Sequence, residues 1–170
     1  MTHTFTRDEL SAKIHTAAAV VKATGISPTD LQQLCNRKVL MFSSVKFGGR
    51  TFRRFSLLEI LTVKAMEVIR RFNLEYSKAD RMISGVRSLI GQFCLKADYQ
   101  NANRYAMIFD HETFAGDILF FPGDSPVGNM SNYRAKAAIV LDLEAIIEDA
   151  MSDLMDEEGP GETDGAEGPE

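Results

Sequence analysis

Between positions 31 and 58 this chain has no acidic residue at all, while Arg37, Lys38, Lys46, Arg50, Arg53 and Arg54 all fall there. The protein as a whole is acidic, with a formal net charge of −5, so the stretch runs against its background. Other absences narrow the field. No apolar run approaches the roughly 20 residues that a membrane-spanning helix requires. Residues 1–8 lack the build of a signal peptide. The expectation is a cytoplasmic protein with no membrane partner. Cysteine is scarce: Cys35 and Cys94 have neither metal-ligand spacing nor a histidine cluster nearby. They read as small buried apolar side chains in a reduced compartment, and no metal or cofactor is expected. There is no P-loop, dinucleotide glycine fingerprint or nucleophile elbow. The one tight polar triad, Asp110-His111-Glu112, misses the His-Glu-x-x-His metal motif because Ala115 stands in its last place. It sits between two strand-like runs and reads as a solvated turn, so no enzyme is expected.

What is present is a charge split. Residues 1–105 hold 17 basic and 8 acidic residues, a net of +9; residues 106–170 hold 2 and 16, a net of −14. The sequence pI of about 5.3 conceals this. Such asymmetry points to a nucleic-acid-facing half and a separate acidic half. Residues 156–170 contain seven acidic residues, four glycines and two prolines. They are expected to form a disordered tail that mainly solubilises the protein.

Leu10, Ile14, Ala17, Ala18 and Val21 fall at helical spacing and predict one helix over 10–24, closed by Gly25. Ser27 is placed to cap a second helix with Pro28 in its first position, running to about Arg37. Two short helices joined by a tight glycine-containing turn make a helix-turn-helix. Val39-Leu40-Met41-Phe42 reads as a strand, Phe47-Gly48-Gly49-Arg50 as a turn, and Thr51-Phe52-Arg53-Arg54-Phe55 as the returning strand of a hairpin. Ser56 then caps a long helix, with Glu59 completing a capping box, and Asn73 closes it. A further helix opens at Tyr76-Ser77. Beyond Lys96 the runs 105–109, 117–121 and 137–141 are strand-like. A Gly/Pro/Ser/Asn loop fills 122–132. Leu143, Ile146, Ile147, Ala150, Met151 and Leu154 mark a last amphipathic helix. The fold class expected is α+β. A mainly helical winged helix-turn-helix domain occupies 1–97, and a small β-hairpin/helix module for dimerisation or sensing occupies 98–155. The acidic tail follows over 156–170.

The helix over 27–37 exposes Ser27, Thr29, Gln32, Gln33, Asn36 and Arg37 between its buried leucines. Gln and Asn bond adenine edges bidentately and Arg bonds guanine in the major groove. The hairpin over 39–55 carries Lys46, Arg50, Arg53 and Arg54, which suit phosphates; such contacts position a protein without reading sequence and make binding strongly salt-dependent.

These residues carry a resemblance. Positions 14–90 resemble the DNA-binding domain of the MerR family of transcriptional regulators, a winged helix-turn-helix. The family's Thr-Gly-Val/Ile-Ser-Pro turn is matched by Thr24-Gly25-Ile26-Ser27-Pro28. Its aromatic-Arg-x-aromatic-Ser wing ending is matched by Phe52-Arg53-Arg54-Phe55-Ser56. The helix pair that follows is matched over 58–72 and 77–90. The resemblance implies that Arg53 contacts the DNA backbone and that Phe52 and Phe55 pack the wing onto the domain. Three departures stand out. The family's usual Arg-Tyr-Tyr-Glu is Gln32-Gln33-Leu34-Cys35 here, its glycine before the wing is Lys38, and Gly85 and Gly91 interrupt the candidate for its long dimerisation helix. The cysteines do not match the metal-sensing members. The function expected is a sequence-specific regulator of transcription in a bacterium or phage, nucleoid-associated in the cytoplasm. Its partner is double-stranded DNA, bound as a homodimer on an inverted repeat because one short recognition helix reads few bases. The acidic C-terminal region suits contact with RNA polymerase or a co-regulator. Two alternatives stand beside this: a phage-type architectural factor of the excisionase kind that bends DNA, and a protein-interaction adaptor that keeps the fold.

Overall fold

The computed structural model describes residues 5–71, 76–95, 105–110, 115–121 and 138–155. The chain is mixed α+β. In order it forms α1 (Arg7–Ser11), β1 (His15–Thr16), α2 (Ala17–Thr24), α3 (Pro28–Asn36), β2 (Phe42–Phe47), β3 (Arg50–Phe55), α4 (Leu57–Arg70) and α5 (Tyr76–Leu95). β4 (Tyr105–Asp110), β5 (Ala115–Phe121), β6 (Ala138–Asp142) and α6 (Leu143–Met155) follow. The strands make two three-stranded antiparallel sheets, ordered β1-β3-β2 and β5-β4-β6. Among the described residues no helix is long and apolar enough to cross a membrane.

The single helix expected over 10–24 is two helices with a strand between them. Thr6 and Glu9 form a reciprocal capping box that starts α1 early, and Ala12 leaves the helix in an extended conformation. His15 and Thr16 then pair with Phe55 and Arg54 of β3. Thr16 restarts the helix by accepting a hydrogen bond from the Ala19 amide (3.1 Å). The shared periodicity therefore belongs to two elements. Leu10 is buried, but Ile14, expected on the same apolar face, is 64% exposed.

The turn between α2 and α3 forms as the local chemistry requires. Gly25 adopts φ 74° and returns its amide to the Val21 carbonyl. Ser27 accepts from the Asp30 amide at 3.0 Å and caps α3. The far end of α3 closes through two backbone bonds, Val39 to the Leu34 carbonyl (3.0 Å) and Lys38 to Cys35 (3.1 Å). That Schellman pattern needs a left-handed residue, and Lys38 supplies it with φ 58°. Glycine is the usual occupant, and a side chain there costs about 1–2 kcal/mol of strain. Lys38 and Val39 are spent closing α3, and the first hairpin strand begins at Phe42 rather than at Val39.

Gly85 and Gly91 do not interrupt the helix that carries them: α5 runs through both to Leu95. A methyl group built at Gly91 would meet Leu58 at 3.8 Å, an ordinary contact. Packing overrides the propensity cost, because Ile83, Val86, Leu89, Ile90, Phe93 and Cys94 bury one face of α5 in the core.

That core is continuous. Val20 and Ala23 of α2, Leu31 and Leu34 of α3, Phe55 of β3 and the inner faces of α4 and α5 share it with Ile146, Ile147 and Ala150 of α6. Lys64 on α4 fastens the arrangement by donating to the Ala23 carbonyl (3.0 Å) and to Asp153 of α6 (3.1 Å). The boundary expected at residue 97 is therefore not a boundary in the core, because α6 packs against α2 and α4. Asn73, the loop over 122–132, His111, Glu112 and the acidic stretch 156–170 lie outside the described residues.

Candidate nucleic-acid interface

At 100° per residue, Gln32, Asn36, Thr29 and Gln33 fall within an arc of about 100° on α3. All four are exposed, while Leu31, Leu34 and Cys35 bury the opposite side. Ser27 and Arg37 are exposed at the two ends of the helix. Four of the six residues singled out by sequence thus share one accessible side of α3, and Ser27 and Arg37 cap its two ends. Asp30 anchors its first turn: its carboxylate accepts from Ser27 (2.8 Å) and from Arg70 of α4 (3.4 Å).

The hairpin divides its cations between two faces. Opposed pairs in an antiparallel ladder share a face, and successive pairs alternate. The register pairs Phe42 with Phe55, Ser44 with Arg53 and Lys46 with Thr51, which sets Arg53 and Lys46 on the face that carries the buried Phe55. Ser43 with Arg54, Val45 with Phe52 and Phe47 with Arg50 form the outer face. The hairpin's four basic residues are therefore divided two and two between its faces.

Arg53 is the hinge between hairpin and helix. Its Nη1 donates to Gln32 Oε1 at 2.6 Å, and its guanidinium lies 4.9 Å from the centroid of the Phe42 ring. Phe42 in turn stands 6.0 Å from Phe55, which is fully buried. Gln32 passes the chain on by donating its Nε2 to Asn36 Oδ1 at 2.7 Å. The result is a polar line, Arg53–Gln32–Asn36, that crosses from hairpin to helix with its amide and guanidinium planes held. It engages the Gln32 oxygen with Arg53 and the Asn36 oxygen with Gln32. Arg54 does something different: its Nη1 donates to the Ile14 carbonyl at 2.9 Å and ties the segment before β1 to the hairpin. A groove of about 530 Å³ opens between α2, α3 and the inner hairpin face, bordered by Ala17, Val21, Lys22, Leu31, Gln32 and Arg53.

Phe55 packs the hairpin onto the domain as the resemblance implies, but Phe52 is 45% exposed on the outer face. Beneath α3, burial pushes the Cys35 thiol up against the opposing pull of Arg53. Cys94, fully buried on α5, is pushed up to about 12 by burial alone. Both thiols are protonated and inaccessible.

Sequence reasoning missed the clamp at the base of the hairpin. Glu59 does donate its amide to the Ser56 cap (3.3 Å) as expected. Its carboxylate, however, goes to Arg87 Nη2 on α5 (2.9 Å) instead of completing a capping box. Arg87 Nη2 also donates to the Val39 carbonyl (2.7 Å), and Glu59 accepts from the Met41 backbone. A largely buried ion pair thus grips the link between α3 and β2 at Val39 and Met41. Burial raises the Glu59 pKa, with Arg87 pulling the other way. A glutamate at the third position of an otherwise apolar helical turn was the one available signal, and its partner 28 residues on gave none.

Compared with known protein families and with curated proteins, the chain matches none.

Proposed function

We propose that this protein is a sequence-specific regulator that binds double-stranded DNA through a MerR-like winged helix-turn-helix, with α3 in the major groove and the β2–β3 hairpin as the wing. The observation that carries this is the Arg53–Gln32–Asn36 line, which couples a cation suited to phosphate with amides suited to base edges. The turn over 24–28 and the left-handed Lys38, at the position where the resembled domain usually carries glycine, support the same reading. One nine-residue helix presents few base contacts, so the protein acts as a dimer on two half-sites about one helical turn apart.

Titration of a labelled duplex between about 50 and 200 mM salt tests the electrostatic half of this reading. Two phosphate contacts per protomer, from Arg53 and Lys46 on one hairpin face, give a log–log slope of about −1.8, and a dimer doubles it. Absence of binding at the low end, or a flat slope, contradicts the proposal.

A further inference from the structure

We infer that Phe47 is a wedge: on the DNA-bound protein the tip of the hairpin enters the minor groove and the Phe47 ring inserts at a base step, kinking the duplex. The inference rests on the DNA-binding reading above and adds what the tip does there.

Phe47 is 79% exposed, more than any other large apolar side chain among the described residues. Removing a ring of this size from water is favourable, and the fold leaves it in solvent. Its placement is specific. Phe47 is the last residue of β2, and the turn beyond it is Gly48-Gly49 with φ 56° and 77°, the two positive values of a type I′ hairpin turn. A Cβ at either glycine would meet nothing within 4 Å. Space does not demand glycine there, and an Asn-Gly turn would serve the backbone equally well. What two glycines add is a tip without side chains, the thinnest end that a two-stranded ribbon can offer to a groove about 6 Å wide.

The surroundings fit a polyanion rather than a protein partner. Arg50 stands directly across the ladder from Phe47, and Lys46 precedes it. Arg50 lies beside the ring on its own face, Lys46 projects to the opposite face of the ribbon, and no acidic residue lies anywhere between 31 and 58. Val45 and Phe52, opposed on the same face and 46% and 45% exposed, continue the apolar strip behind the ring. Reach also agrees. From the Phe42/Phe55 pair, which is fixed in the core, five residue steps at about 3.4 Å put the tip roughly 17 Å away. Half a turn of duplex, the separation of a major groove from the adjacent minor groove, is also about 17 Å. Apolar side chains inserted from the minor groove unstack a base step and bend the duplex toward the major groove, where α3 would lie.

The test uses the full chain and end-labelled duplexes of about 30 base pairs, roughly three helical turns, either fully matched or with one central mismatch. Binding and end-to-end energy transfer are read together. Wild type should draw the ends closer and bind the mismatched duplex about tenfold tighter, because the mismatch lowers the unstacking cost. Phe47→Leu should retain both effects. Phe47→Ala should lose both while melting like wild type and keeping its salt slope on the matched duplex. If Phe47→Ala bends DNA as wild type does, or wild type binds without bending, the wedge is overturned and the DNA-binding reading stands. If wild type binds neither duplex, the reading beneath it falls as well.

Discussion

Replacing Glu59 by glutamine should remove about 3 kcal/mol or more of stability, the usual cost of breaking a buried ion pair from one side. Glutamine keeps the size and a hydrogen-bond acceptor, but it leaves the Arg87 guanidinium without its counter-charge. The Glu59 side chain is only 2% exposed and that of Arg87 17%. Arg87 Nε is itself buried and finds no partner among the described residues. The Glu59→Leu, Arg87→Met double variant should be less destabilised than either single change, because it removes both desolvated charges together. The consequence extends beyond stability. Val39 and Met41 lead directly from α3 into β2, so loss of the clamp frees the hairpin from the helix with which it shares the proposed DNA face. Urea unfolding gives the stability and amide exchange over β2 gives the coupling. A Glu59→Gln unfolding free energy within about 0.5 kcal/mol of wild type contradicts this view of the pair.

Arg53→Ala should weaken binding to a preferred site roughly a hundredfold, the equivalent of a lost charged hydrogen bond plus the order it imposes on Gln32. Lys46→Ala, on the same hairpin face but outside the polar line, should lower the salt slope by about one and weaken all sequences alike. Arg53→Lys separates the two contributions. Lysine keeps the charge and therefore the salt slope, but it has no planar fork to bond Gln32 and lie over Phe42. Sequence preference should relax while non-specific affinity survives. If Arg53→Lys discriminates among sites as well as wild type, the link from Arg53 to Gln32 carries no specificity.

Much of the local structure was legible in the sequence, because its signals act over three or four residues. Ser27 with Pro28, Gly25, the Gly48-Gly49 pair and Ser56 mark their caps and turns, and the structure forms each of them. The strand-like runs beyond residue 96 fall where β4, β5 and β6 form. What escaped was set by distant partners. His15 and Thr16 leave the helical pattern because Phe55 and Arg54, about 40 residues on, give them a ladder. Gly85 and Gly91 stay helical because α4 and the core hold α5. Glu59 abandons the capping box for Arg87. The site divides along the same line. The identity of the α3 side chains follows from helical periodicity, but the bond between Arg53 and Gln32 spans 21 residues and two elements. The separation of Arg53 and Lys46 from Arg50 and Arg54 follows from strand alternation once the register is known, and the register was fixed by the Gly-Gly turn.

The most direct test of the central claim is selection of genomic fragments by the full chain, followed by sequencing, with the Arg53→Ala, Arg54→Ala double variant in parallel. The proposal predicts an enriched inverted repeat with half-sites about one helical turn apart, and its loss in the double variant. Fragments recovered without a shared site, or a site recovered equally by the double variant, contradict it.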